Sequence, residues 1–194
     1  MTVPLRTPRM TRDAFFDWAE VQRERYEFDG FEPVAMTGGT VGHSRIIRNL
    51  HRALDARLRG SGCEPLGPDA GVSTIGDTVR YPDALVTCTR VRGTDRLVLG
   101  VIAVFEVLSP TSGRTDRIEK LIEYRAVPSI RRYAILEHTG TGVTVHARAP
   151  GETAWTTTAL TEGDVLSMPE IGVEIPVAEF YEGMDTTGAV PGEG

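Results

Sequence analysis

A chain of 194 residues with 40% hydrophobic and 25% charged residues has the composition of one globular domain, able to bury about 70% of its unfolded surface. Its net charge of −6 and pI near 5.3 exclude a general nucleic-acid coat protein, though not a cleft lined by a minority of basic side chains. No apolar run approaches the ~20 residues of a membrane span, and no secretory leader is visible.

Cys63 and Cys88 are too few for a disulfide framework and suit no paired-cysteine metal site. Two reduced, buried thiols in a cytoplasmic protein are therefore expected. Residues 1–9 and 185–194 carry no apolar period and read as flexible tails around a single domain, 10–184. Thr11 can cap a short helix that buries Phe15, Trp18 and Val21. Residues 25–30 and 31–36 pair as a hairpin with Asp29-Gly30 at the turn. After the loop Thr37-Gly38-Gly39-Thr40, a helix over 43–59 sets Ile46, Ile47, Leu50, Leu54 and Leu58 on one face. The stretch 60–78, punctuated by glycine and proline, holds one short strand near 70–74. Residues 79–88 read as a single strand with Pro82 near its beginning, and 89–96 as a loop.

Residues 101–108 open as an unbroken apolar run, the pattern of a strand buried on both faces. Glu106 interrupts it, and on a period of two it shares a face with Ile102, Val104 and Leu108. An ionised carboxylate there loses several kcal/mol of hydration unless a cation or hydrogen-bond donors replace the water. Glu106 thus needs a basic side chain or a metal. The helix over 114–126 brings Lys120, the one lysine among 21 basic residues. Arginine cannot substitute for a compact ammonium beside a reacting centre, so its retention singles Lys120 out. The same helix offers Ile118, Leu121 and Ile122 as an apolar face opposite Lys120. Residues 132–137 form the next strand, reached by a strand–helix–strand unit. A hairpin of 143–148 and 155–160 turns near Gly151, and 166–181 reads as short strands or turns. The fold class is α/β, a mixed central sheet flanked by helices.

Asp83 and Glu106 stand near strand ends with one loop between them, so adjacent strands can bring both carboxylates to one spot. Paired oxygen ligands completed by water suit a hard cation such as Mg²⁺, with Mn²⁺ as the alternative. Lys120 can point its ammonium at a water or phosphate there, an assembly that fits metal-assisted hydrolysis of a phosphodiester. Spacing alone leaves two plainer readings open, a Glu106–arginine ion pair and a surface Asp116–Lys120 pair.

Tyr81-Pro82-Asp83, Phe105-Glu106-Val107-Leu108-Ser109-Pro110, Asp116, Lys120 and Tyr124 together look like the signature of the Uma family, restriction endonucleases of the PD-(D/E)XK nuclease superfamily. The likeness runs over about 10–183. Arg25-Tyr26-Glu27 and Gly30 resemble the family's N-terminal element, Gly38-Gly39-Thr40 with His43 its helix entry, and 127–133 the strand that follows. The resemblance implies a restriction-endonuclease-like fold, with Asp83 and Glu106 as the acids that hold metal. Leu108 stands where the superfamily places lysine; the Uma pattern moves that lysine to the following helix, where Lys120 stands. Glu27 matches a further family acid and His43 a family histidine near the cleft; for each, a structural ion pair or a polar place in a helix's first turn is the competing reading.

The function expected is Mg²⁺-dependent endonucleolytic hydrolysis of DNA, by a homodimer that sets two sites against a duplex. The alternative is a catalytically silent nuclease-fold protein that binds nucleic acid or a protein partner. A glycosidase built on Glu27 and Glu106 would want an aromatic sugar platform, and aromatics are 7% of the chain. If DNA is the substrate, some of Arg45, Arg48, Arg114, Arg117 and Arg125 should gather on the rim that holds Asp83.

Overall fold

The computed structural model describes residues 10–108 and 114–184, with side chains throughout except at 114–116. The two tails, Ser109-Pro110 of the signature, and the side chains of Arg114 and Asp116 lie outside the described residues.

Helix α1, Arg12–Ala19, begins where the Thr11 hydroxyl accepts from the Ala14 N–H, satisfying one of the helix's orphan donors. It buries Phe15, stacked 5.1 Å from Phe28, and half-buries Trp18. The helix stops before Val21, which is 78% exposed rather than buried as the sequence period suggested. Strands β1 (Tyr26–Phe28) and β2 (Pro33–Ala35) form the expected hairpin. Asp29 Oδ1 accepts from the N–H groups of Phe31 and Glu32, and Gly30 supplies the positive φ of 89° that the turn requires. Helix α2, Val41–Leu58, is capped by Thr40 and buries Ile46, Leu50, Leu54 and Leu58.

After α2 come β3 (Glu64–Leu66), β4 (Val72–Ser73), β5 (Val79–Arg80), β6 (Ala84–Thr87) and β7 (Val101–Val107). Helix α3 (Arg114–Ala126) leads to β8 (Arg132–Leu136), β9 (Gly142–Ala147) and β10 (Thr156–Thr161). The chain closes with β11 (Val165–Met168), β12 (Val173–Pro176) and the short helix α4 (Val177–Phe180). A six-stranded mixed sheet runs β10-β9-β8-β7-β6-β3, with β7 and β8 parallel through the α3 crossover. A four-stranded sheet, β2-β1-β5-β4, and the β11-β12 hairpin complete the fold. On one face of the large sheet, α2, α4 and the β11-β12 hairpin cover Ala103, Phe105 and Val107. On the other, Tyr124 of α3 packs with Leu85, Val104, Leu108, Tyr133 and Ile135.

Three differences from the sequence reading matter. First, residues 79–88 are not one strand: β5 joins the small sheet and β6 the large one. Pro82 has no N–H for a ladder, so Tyr81-Pro82-Asp83 becomes the joint between the sheets. Second, Ile102 does not share Glu106's face. The β6–β7 register jumps from Val86↔Ala103 to Thr87↔Val101, and the extra residue turns Ile102 toward the α2 side. Third, β3 pairs with β6 at Glu64↔Thr87, so the next step outward brings Cys63 against Cys88, and the two form a disulfide. Cys88 is exposed and Cys63 half-buried; they are not the buried, reduced thiols expected, and the thiol argument for a cytoplasmic location falls with them. Among the described residues no helix is long and apolar enough to cross a membrane.

Candidate active site

Asp83 occupies the joint before β6. Ala84 pairs with Phe105, so one step further sets Asp83 opposite Glu106 near the end of β7. Asp83 Oδ2 accepts from the Val107 N–H at 2.7 Å, which ties the joint to the neighbouring strand. His51, two turns into α2 beyond His43, reaches the Asp83 carbonyl oxygen at 3.0 Å from its Nε2. His43 stands in the first turn of α2, with Nε2 3.0 Å from the Val107 carbonyl and 3.7 Å from Asp83 Oδ2. A carbonyl only accepts, so that nitrogen carries the proton and His43 orients this corner as a donor. Gly39 makes room for the ring: a Cβ there would lie 2.4 Å from His43 Nδ1.

Lys120 reaches the same spot from α3. Its Nζ lies 3.3 Å from Glu106 Oε1 and 3.8 Å from Glu27 Oε1, with the side chain 14% exposed. Glu27, buried on β1, also accepts from the Tyr81 N–H at 3.1 Å and from Arg80 Nη1 at 3.1 Å. Arg80 is 4% exposed and forks onto both oxygens of Glu123 at 2.7 Å. The buried Tyr124 hydroxyl donates to Glu106 Oε1 at 3.0 Å.

The fold therefore brings together all five residues singled out from the sequence. Among the described residues, the ion-pair partner of Glu106 is Lys120 rather than an arginine. The expected apolar face of α3 holds only at Leu121, which packs against the core; Ile118 and Ile122 are 48% and 56% exposed, whereas Lys120 and Tyr124 point inward. Spacing on α3 carried the missed signal, since 120, 123 and 124 share one helical face. Arg80, Glu123, His51 and the role of Tyr124 went unread because their partners lie on other elements. Of the arginines expected on the rim, Arg45 and Arg48 are exposed on α2 and Arg117 is half-buried one turn before Lys120. Arg125 is engaged elsewhere. Its guanidinium lies over Trp155, on whose ring Arg148 also stacks while donating to the carbonyls of Val127, Pro128 and Ile130 beyond the end of α3.

Residues 12–178 match the sequence profile of a family, Uma2, described as "Putative restriction endonuclease". The chain belongs to the Uma2 family. Two uncharacterized Synechocystis proteins are similar to this Uma2 chain. One, slr1290, is 29% identical over 181 residues, covering 91% of this chain and 94% of the relative. The other, sll1609, is 25% identical over 164 residues, covering 82% and 92%. A crystal structure from Anabaena variabilis, of "a putative nuclease belonging to DUF820", superposes with a TM-score of 0.68 at 15% identity, covering 88% of this chain and 97% of that one. At that identity the likeness concerns the fold alone, and it is the nuclease-like α/β architecture expected from the sequence.

Electrostatics test whether this Uma2 site fits a metal. Asp83, Glu106, Glu27 and Glu123 face two permanent cations, Lys120 and Arg80, which leaves two negative charges in excess when all are ionised. Burial raises the Asp83 carboxyl, against the Val107 hydrogen bond and the fields of His43 and Lys120. Glu106 is pushed up to about 7, chiefly by burial; Lys120 holds it down, Asp83 and Glu27 push it further up, and the Tyr124 hydrogen bond lowers it. A divalent cation would offset this excess. Among the described residues no group of three or more His, Cys, Asp or Glu side chains is arranged to hold a metal ion, so an ion here would have two protein ligands. Two carboxylates that each keep a small exposed edge are a donor set that suits Mg²⁺, because it keeps most of its hydration. The residues fit such an ion.

A pH prediction follows for the metal-free protein. The folded value of Glu106, about 7, lies above its ordinary 4.5, so the folded state holds this proton more tightly than the unfolded chain. Stability present below pH 4.5 is then lost as pH rises through about 7, by about 3 kcal/mol at ~1.4 kcal/mol per tenfold change in proton affinity. Asp83, raised in the same sense, adds to the slope. Urea unfolding in a chelator from pH 4.5 to 8 should show the decline, and Glu106→Gln should flatten it. An unchanged slope in that variant would assign the decline to other groups.

Proposed function

We propose that this Uma2 protein is a Mg²⁺-dependent endonuclease, Mn²⁺ being the alternative ion, that hydrolyses DNA phosphodiester bonds as a homodimer. The observation that carries this reading is the placement of the Lys120 ammonium 3.3 Å from Glu106, on the strand beside Asp83. Asp83 and Glu106 would hold the ion. When bound, Mg²⁺ polarises a phosphoryl oxygen and makes water more acidic. Lys120, a compact donor with three protons, is set to hold the attacking water or a phosphate oxygen by hydrogen bonds. Glu27 places that ammonium and is itself held by Arg80 and the Tyr81 N–H. His43 steadies the Asp83 corner through Val107.

Supercoiled plasmid is the simplest probe. Nicking is expected with Mg²⁺ or Mn²⁺ and should be abolished by a chelator. Asp83→Asn and Glu106→Gln should weaken metal binding, with partial rescue by excess Mg²⁺. A parent protein that nicks with neither ion, yet binds DNA as tightly as these variants or less so, would overturn the nuclease reading. The catalytically silent nuclease-fold binder would then stand in its place.

A further inference from the structure

The two oxygens of Glu106 are treated differently by the fold. Oε1 accepts from the Tyr124 hydroxyl at 3.0 Å and faces Lys120 Nζ at 3.3 Å. Among the described residues nothing hydrogen-bonds to Oε2. Asp83 repeats the pattern, with Oδ2 committed to the Val107 N–H. We propose that Tyr124 is a positioning residue that confines Glu106 to one-oxygen coordination and thereby sets the preference of the site for Mg²⁺ over Ca²⁺. The inference rests on the metal-dependent reading above.

The phenol suits that task. Tyr124 is fully buried, with its ring centroid 4.9 Å from that of Tyr133, so the hydroxyl cannot swing away from the carboxylate. Oε1 has two lone-pair sites, one taken by Tyr124 and the other facing Lys120, so a ligand that binds through both carboxylate oxygens must displace one of these donors and leave it without its acceptor. Mg²⁺ has no use for that second oxygen: it demands near-octahedral geometry at about 2.1 Å and keeps several waters. Ca²⁺ accepts six to eight oxygens at about 2.3–2.6 Å and commonly takes a carboxylate by both. Tying down Oε1 therefore costs the smaller ion nothing and denies the larger one its usual mode.

Titration calorimetry of the full-length parent and Tyr124→Phe, each with Mg²⁺ and separately with Ca²⁺ and without DNA, tests the assignment. Removing a hydrogen bond that orients a metal ligand typically weakens metal binding about 10- to 100-fold, and that loss is expected for Mg²⁺. Ca²⁺ affinity should fall far less or rise, because the lone-pair site of Oε1 that Tyr124 vacates can join its shell while Lys120 keeps the other. Equal losses for the two ions, the mark of a packing role alone, would overturn the proposal; so would no loss for either. The parent gives a check that needs no folded variant. Infrared difference spectra on Mg²⁺ binding, with Glu106→Gln identifying the bands, should show the wide separation of carboxylate stretches of one-oxygen coordination. A narrow, two-oxygen separation would sink the idea even if Tyr124→Phe fails to fold. A parent that binds neither ion would remove the metal-dependent reading itself, and is distinguishable from both results.

Discussion

Lys120→Arg is expected to lower plasmid nicking at saturating Mg²⁺ by about 10²-fold or more, the usual scale for a positioned proton-transfer or electrostatic group. The substitution keeps the charge and changes its shape. Lys120 Nζ sits 3.3 Å from Glu106 and 3.8 Å from Glu27, both of them largely buried carboxylates. A guanidinium spreads its donors over a planar fork that resists deprotonation, and the two carboxylates would hold that fork to themselves. The side chain is 14% exposed, so fitting the longer group costs up to about 1–3 kcal/mol, which a domain of ordinary stability survives. Circular dichroism should therefore show a folded variant, and the lost activity can be charged to the site. Full nicking by Lys120→Arg would remove this lysine from the mechanism.

The largest effect on stability is expected at Arg80. This guanidinium is 4% exposed and bridges Glu27 and Glu123, so α3, β1 and β5 meet at one cation. Burial by itself works against its charge, but the hydrogen bonds and fields of Glu123 and Glu27 more than reverse that. Arg80→Met keeps much of the volume and leaves two buried carboxylates face to face. Removing one partner of a buried pair costs about 3–5 kcal/mol because the charge left behind is uncompensated. Urea unfolding at pH 7 should show a loss of that size. Adding Glu27→Gln and Glu123→Gln should recover a good part of it. A loss under about 1 kcal/mol, or no recovery in the triple variant, would mean that water already solvates these carboxylates.

The same network shows why part of the site escapes a reading of the chain. Pro82 beside Asp83, an acid inside the apolar run of β7, and a single lysine in a chain rich in arginine are local anomalies visible without partners. Arg80 looks like any other arginine until β1, β5 and α3 are brought together. Cys63 and Cys88 look like stray thiols until the β3–β6 register sets them side by side. Ile118 and Ile122 misled because apolar residues at helical spacing ordinarily mark the buried face. Here α3 turns its charged and phenolic side chains inward to meet other charges.

The amino-acid sequence by itself determined the α/β class, the β7–α3–β8 crossover, the Thr11-capped helix, the Asp29-Gly30 turn and the family signature. Apart from the signature, which is spread along the chain, each is written in residues close together, where period, capping and turn chemistry act. Only the tertiary structure decided that Tyr81-Pro82-Asp83 joins two sheets, that a register jump turns Ile102 away from Glu106, and that Tyr124 and Lys120 share one oxygen of Glu106. These depend on strand register and on helix rotation about its axis. Both are fixed by contacts between residues distant in sequence, where moving by one residue reverses which side chain faces the site.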